Sequence, residues 1–501
     1  MKEGGEISDL ELQAVIFNCC HTLKHDSDSS LKSNALEALS NVSLLLQGLA
    51  EKKPDVARSL VEKVCLNQIR TGIKHKEDSV RCDFISFLQS LVKNCGEASG
   101  RVKELGKLSC SEDSDLDFWE NLRHVQLHRR GRAMARLAKR LNEEPGLLKV
   151  KSLQQIILPL TTVYLLNDNF SKNSQLVEQA IELVGAVNKA LPWAQYDHNI
   201  KYYLELFSKE IAHQRQLVKI ITAILDNFHF DLSKDEEAPK NDLEDGQAEV
   251  EDVEMKTVEE EKVEKEDSKE EVLRQKIFHT VQNVLLPKLH ATLAGKTKGP
   301  TNISDEDKLI LRVPLALPII KMLGILSPRL QHKAVPGILA KVASFLKSKA
   351  VEIRTAARAT LCAVMEQLGS RYVALMLKEL QSQLTRGYQL HVLTFTFHSV
   401  LHKLAEVGKL NPGDLDRCCG SVVEVCLDEM FGAIAEEKDV AKITGKLMEA
   451  RGTKSYDTLQ LLSRFVSNNC LMDLVRPIAD KCATFSTFKN LTKVRESFRK
   501  D

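Results

Sequence analysis

Val351 to Gly369 reads VEIRTAARATLCAVMEQLG, and its spacing decides the fold class. On a 3.6-residue period Ile353, Ala357, Leu361, Val364 and Leu368 share one face, with Ala356 and Ala359 beside them. The segment therefore predicts a helix whose small side chains let a neighbour approach closely. Upstream, Gln331 to Lys347 carries Ile338, Leu339, Val342, Phe345 and Leu346 on a second helical period, with Pro336 early in the run. Only Ser348 to Ala350 separate the two. So short a connection predicts an antiparallel pair. One pair cannot bury both apolar faces, and pairs of about forty residues that recur along a chain predict a stacked α-solenoid.

Ile353-Arg354, the alanines after it and the closing Leu368-Gly369 resemble the second helix of a HEAT repeat, which often reads Asp, Val-Arg, an Ala-rich run and Leu-Gly. Asp78, Val80 and Arg81, leading to Phe84, Leu88 and Leu91, look like a second copy. No Asp stands before Ile353, and Leu176 to Ala190 lacks the Val-Arg step, so the expectation rests on helix-pair spacing more than on motif. The expected architecture is all-α, a HEAT/armadillo-like α-solenoid of stacked antiparallel helix pairs with a disordered acidic insert.

Composition agrees with that class. The 501 residues hold only 23 glycines and 13 prolines, aromatics make up 5%, and alternating strand patterns are scarce. The twelve cysteines show neither Cys-x-x-Cys nor a zinc spacing with histidine, and read as reduced, mostly packed thiols. Met1 to Glu6 is polar and acidic where a signal peptide is basic and then apolar. No apolar run reaches the roughly eighteen residues of a membrane span, so an intracellular, soluble protein is expected. The net charge of +1 hides a segregation. Asp235 to Glu271 holds 18 acidic residues against 5 lysines, or −13, which leaves +14 on the rest of the chain. A basic helical body beside an acidic run of low hydrophobicity suits a nucleic-acid or ribonucleoprotein partner, and the run itself is expected to be disordered.

The expected divisions are N-terminal helix pairs over 1–107, an acidic loop over 108–117, a basic helix with further repeats over 118–232, the acidic insert over 233–272, and C-terminal repeats over 273–501. Gly96 to Asp117 interrupts the regular spacing and predicts a surface loop. Pro159 is expected to kink the helix from Lys149 to Leu166 or to begin it afresh.

Phe118 to Leu141, FWENLRHVQLHRRGRAMARLAKRL, reads as one helix with two unlike faces. Leu127, Met134, Leu137 and Leu141 line one side, and Arg129, Arg132, Arg136 and Arg140 recur at i, i+3, i+7 and i+11 on another. Arg123, Arg130, Lys139 and His128 broaden the cationic row, while Glu120 and Glu143 lie only at its ends. Planar guanidinium forks grip phosphate oxygens in two-point contacts. The row therefore reads as a surface for RNA backbone or for an acidic partner segment, against the alternative of a solvated solenoid face.

Other signals carry less. Gly295-Lys296-Thr297 lacks the earlier glycine and the strand of a phosphate loop and reads as a turn. Ser111 and Ser114, each followed by acids, read as part of a solvated linker rather than kinase targets. His391, His398 and His402 share a helix face, and the His398/His402 spacing could hold a metal, but no third ligand is evident. Histidines buried at a repeat interface, or contacting a partner, are the expected reading. No nucleophile motif or paired carboxylates stand out, so neither catalysis, cofactor, metal nor small-molecule substrate is expected. The basic stretch from Phe488 to Asp501 has no polar capping repeat, and more protein is expected to follow.

At DFWENLRHVQLHRRGRAMARLAKRL and LGSRYVALMLKELQSQLTRGYQLHVLTFTFHSVL the sequence resembles the very large HEAT-repeat component of the small-subunit processome, the down-regulated-in-metastasis family associated with the U3 small nucleolar ribonucleoprotein. Gln126 to Arg130 and His391 to His398 are the most specific stretches. The resemblance implies a nucleolar, non-catalytic scaffold in processing pre-ribosomal RNA toward 18S rRNA, with pre-ribosomal RNA, the U3 ribonucleoprotein and other processome proteins as partners and no membrane. Members are several times longer, so the chain is expected to be a portion. The alternative reading is an importin-like transport adaptor, although the acids here are concentrated in one insert rather than along an ordered concave face.

Overall fold

The computed structural model describes residues 8–209, 213–230, 232, 270–294, 310, 312–326, 328–385, 388–431, 447–450 and 454–484. Among them the regular structure is helical throughout, with no strand. The helices stack as successive pairs, the arrangement of an α-solenoid, within two compact units, Met1–His229 and Phe230–Asp501.

In the first unit the helix Asp9–His25 starts on a capping box. The Ser8 hydroxyl accepts the Glu11 N–H at 3.3 Å, and the Glu11 carboxylate accepts the Ser8 N–H at 2.9 Å. It packs on Ser29–Lys52, after which Pro54 opens a helical run over 54–72 whose partner is Asp78–Asn94. Gly72 permits that contact, because a Cβ there would lie 2.1 Å from the Phe84 ring. Gly96 to Asp117 is not wholly a loop. It contains the helix Gly100–Gly106, whose first turn is capped by the Ser99 hydroxyl.

The single helix expected from Phe118 to Leu141 is two, Phe118–Leu122 and Leu127–Glu143. The first packs on Asp78–Asn94 and the second on Ser174–Lys189, and one straight rod cannot serve both neighbours. Pro159 stands in the first turn of the α-helix Leu158–Leu165. A π turn, Leu153–Ile157, widens the backbone just before it, and the second unit repeats the device with Val281–Leu285 ahead of Pro287.

The second unit is built around Val351–Leu368. Its expected apolar face is buried, with Ile353, Ala357, Leu361, Val364 and Leu368 each no more than 5% exposed. It packs against Ala316–Leu326, Pro328–Phe345 and Tyr388–Glu406. Gly369 ends it at φ +81°, a left-handed conformation that side chains with a Cβ resist. His391 and His398 are buried, the former 3.8 Å from the Glu429 carboxylate and the latter 3.3 Å from the Thr458 hydroxyl, whereas His402 is exposed.

Cys20, Cys95 and Cys418 lie buried, and burial pushes each thiol up to about 12, so these sulfurs are protonated packing groups. No helix among the described residues is long and apolar enough to cross a membrane. Of the acidic run only 270–271 is described, and with 272 these residues are helical. The rest, with Gly295-Lys296-Thr297 and Phe488 to Asp501, lies outside the described residues.

Candidate nucleic-acid interface

The basic segment is anchored by its first, short helix. The Asp117 carboxylate accepts the Glu120 N–H at 2.7 Å as an N-cap, and Trp119 is fully buried with Nε1 donating to the Leu105 carbonyl at 3.3 Å. Asn121 ties down the acidic loop before it. Its Nδ2 donates to the carbonyls of Ser114, Asp115 and Asp117 at 2.9, 3.1 and 2.6 Å.

The eight cationic residues then fall into three groups. Arg123, His128, Arg132 and Lys139 are exposed. Arg132 and His128 make no hydrogen bond or ion pair with another described residue, Arg123 reaches only Ser86 Oγ at 3.3 Å, and Lys139 holds Glu143 loosely at 3.7 Å. These four are available to a ligand.

Arg129, Arg136 and Arg140 are half-buried. Arg129 donates from Nε to Asn121 Oδ1 at 3.0 Å and pairs with Asp115, so it staples the acidic loop to the helix. Arg140 donates to the Lys107 carbonyl at 3.1 Å and lies 3.6 Å from Glu144. Arg136 and Arg140 rim a cavity of about 310 Å³ with Leu116, Phe118 and Leu137 on its walls.

Arg130 does not belong to the row. It is 3% exposed, donates from Nη1 and Nη2 to the two oxygens of Asp78 at 2.8 and 2.9 Å, and donates from Nε to the His124 carbonyl at 2.7 Å. Burial opposes its charge, but Asp78 more than restores it. Asp78 in turn is pushed up by burial and held below the usual carboxylate range by Arg130 and Arg81. Arg81 completes the cluster. It donates to Asp78 at 2.7 Å and to the carbonyls of His75 and Lys76, both at 2.7 Å.

A sequence signal for this role exists. Arg130 is the fourth residue of Leu127–Glu143, as Arg81 is of Asp78–Asn94 and Arg354 of Val351–Leu368. A side chain at that position leans back toward the helix N-terminus, and each of the three bonds a carbonyl six residues earlier, at His124, His75 and Ser348. The buried arginine is thus a repeat position, and the surface that remains for a polyanion is Arg123, His128, Arg132 and Lys139, with Arg136 at its edge.

Residues 303–500 match the U3 small nucleolar RNA-associated protein 20 domain. A protein of Schizosaccharomyces pombe named U3 small nucleolar RNA-associated protein 20 is 27% identical over 499 residues, 99% of this chain. Along nearly its whole length the chain is similar to U3 small nucleolar RNA-associated protein 20. The protein of that name from Saccharomyces cerevisiae is 25% identical over 98% of the chain. The chain spans 19% and 18% of the two yeast proteins' lengths. The basic helix lies ahead of the matched domain but within the span shared with both relatives. The crystal structure of an engineered protein overlaps 89% of this chain and all of its own at 11% identity, but its TM-score of 0.23 carries no argument.

Proposed function

We propose that the chain is a scaffold segment of the small-subunit processome, acting in the nucleolus during maturation of 18S rRNA. The observation that carries this reading is the similarity, along nearly the whole chain, to two proteins named for association with U3 small nucleolar RNA. Their names record association with an RNA rather than a reaction, which supports a non-catalytic role.

Physical chemistry supplies the manner of binding. Stacked helix pairs hold the exposed cations on a rigid frame, and several weak phosphate and protein contacts accumulate along such a frame without any one being strong. Arg123, Arg132 and Lys139 take phosphates of pre-ribosomal RNA or of the U3 ribonucleoprotein, and His128 adds a hydrogen bond. The binding is electrostatic in its larger part and weakens with salt.

The test is crosslinking of the tagged protein in cells followed by sequencing of attached RNA. Recovery of pre-ribosomal spacer and U3 RNA is expected, together with sedimentation alongside pre-ribosomes. A tagged chain that stays outside the nucleolus and crosslinks to neither RNA would overturn the assignment.

A further inference from the structure

The first unit contains an open cleft of about 860 Å³, within the range of roughly 300–1,000 Å³ that ligand sites occupy. It is bounded by the turn Lys74-His75-Lys76, the helix Leu158–Leu165, the start of the short helix Asp168–Ser171 and the helix Trp193–Lys209. We propose that this cleft holds a short stretch of single-stranded RNA, with a base stacked on Tyr202 and its phosphates on Lys74 and Lys76. The inference rests on the RNA-binding reading above but assigns a different part of the molecule.

Three observations carry it. The first is the ring. Tyr202 is 47% exposed on the cleft wall, and the buried Tyr203 meets it edge-on, with centroids 5.2 Å apart and planes at 71°. An exposed aromatic supported from behind is a stacking platform, and stacking tolerates any base because every base has a π-face.

The second is the fixing of the cations. Arg81, 3% exposed, donates to the carbonyls of His75 and Lys76, so the turn that carries Lys74 and Lys76 is clamped from within while both lysines stay exposed. Little conformational freedom in that backbone remains to be lost on binding.

The third is the polar part of the remaining lining, beside an apolar wall of Leu158, Pro159, Val163 and Leu166. Gln154, Asn167 and Asn199 bring amides; Asn167 Oδ1 accepts the Asn169 N–H and Asn199 Nδ2 donates to Asn188 Oδ1, both at 3.0 Å, so their remaining N–H groups and lone pairs are what base edges can meet. Asp168 is the one carboxylate among the lining residues. A duplex hides its bases from a tyrosine face, so the chemistry selects an unpaired strand.

The experiment uses the full 501-residue chain and a fluorescently labelled twelve-nucleotide oligouridine, with a twelve-base-pair duplex RNA and polyglutamate as competitors. Tyr202→Ala is expected to weaken oligouridine binding by at least about fivefold, and Tyr202→Phe to stay within about twofold of the parent. Lys74→Glu with Lys76→Glu is expected to lower the slope of log affinity against log salt by about 1.4, the value for two phosphates on a single strand. Tyr202→Ala should leave that slope unchanged. Because Tyr202, Lys74 and Lys76 are exposed, circular dichroism of all variants should match the parent.

Equal binding by Tyr202→Ala and the parent overturns the proposal, as does absence of oligouridine binding by the parent. Displacement by polyglutamate as effective as by unlabelled oligouridine would make the cleft a site for acidic peptide instead. Cellular association with pre-ribosomes reports separately on the scaffold reading. If Tyr202→Ala is inert while Arg132→Glu with Lys139→Glu abolishes that association, the cleft fails and the scaffold stands.

Discussion

Arg81 in the first unit and Arg354 in the second hold the same place in their helices and are neutralised in different ways. Each is the fourth helical residue, and each uses Nη1 to bind the carbonyls five and six residues before it. For Arg81 the carboxylate is Asp78, three residues upstream, with a side chain 40% exposed and shared with Arg130. For Arg354 it is Glu449, 95 residues downstream and fully buried. There Nε and Nη2 meet the two carboxylate oxygens at 2.9 Å each, while Arg358 adds a bond at 2.7 Å and lies over the Phe395 ring. The absence of an Asp at position 351, where Asp78 stands in the first unit, is therefore no lapse in the repeat. The carboxylate comes from a distant 3₁₀ turn, and the clamp on the inter-helix turn is the same. What differs is water: one network is half open to solvent and the other is not.

The difference sets an order of expected effects. Glu449→Ala removes the buried carboxylate that both Arg354 and Arg358 bond, a class of change that costs about 3–5 kcal/mol. Hydrogen exchange should show the loss in Val351–Leu368 and not in Asp78–Asn94, since stability in stacked repeats is set by near neighbours. Unchanged protection in Val351–Leu368 would refute the buried-pair account.

Asp78→Ala should cost less, about 2 kcal/mol, because solvent reaches the site and the carbonyl bonds of Arg81 and Arg130 survive. The comparison has a pH arm. Asp78 is held below the usual carboxylate range, against the push of burial, so its contribution is complete above about pH 4 and is lost as pH falls through its lower folded value. Protection in Asp78–Asn94 should decline over that acid window in the parent, and Asp78→Ala should remove that part of the decline.

Val351→Asp sharpens the comparison from the other side. It places a carboxylate three residues before Arg354, as Asp78 stands before Arg81, and position 351 is only half-buried. In the Glu449→Ala background it should recover about 1 kcal/mol of protection in Val351–Leu368. No recovery would mean that the position of the acid, and not merely its charge, matters in the second unit.

The smallest stability effect belongs to the exposed cations. Arg132→Glu with Lys139→Glu should change stability by no more than about 0.5 kcal/mol, since neither side chain is buried. The same pair should still weaken RNA binding and flatten its salt dependence. A large loss of helicity would show that these residues support the fold instead of a partner.

Periodicity was enough to read the helix pairs, because burying one face of a rod leaves a 3.6-residue trace in any sequence. Val351–Leu368 and Asp78–Asn94 lie where their apolar residues put them. The candidate interface was legible only in part. Arg130 has the same charge and nearly the same neighbours in sequence as Arg129 and Arg132, and helical spacing separates their faces by angle without saying which angle meets a carboxylate. The turn at Arg123 to Gln126 was hidden for a related reason: the segment has helical character on both sides, and its break is imposed by two packing partners.

The sequence by itself determined an all-α chain of paired rods and the concentration of positive charge in one helix, since both follow from local spacing and residue type. Only the tertiary structure decided which arginines are structural, that Glu449 supplies the carboxylate that position 351 lacks, and that Tyr202 shares a cleft with Lys74 and Lys76. Those facts depend on contacts between residues tens of positions apart, and chain folding rather than local preference brings them together.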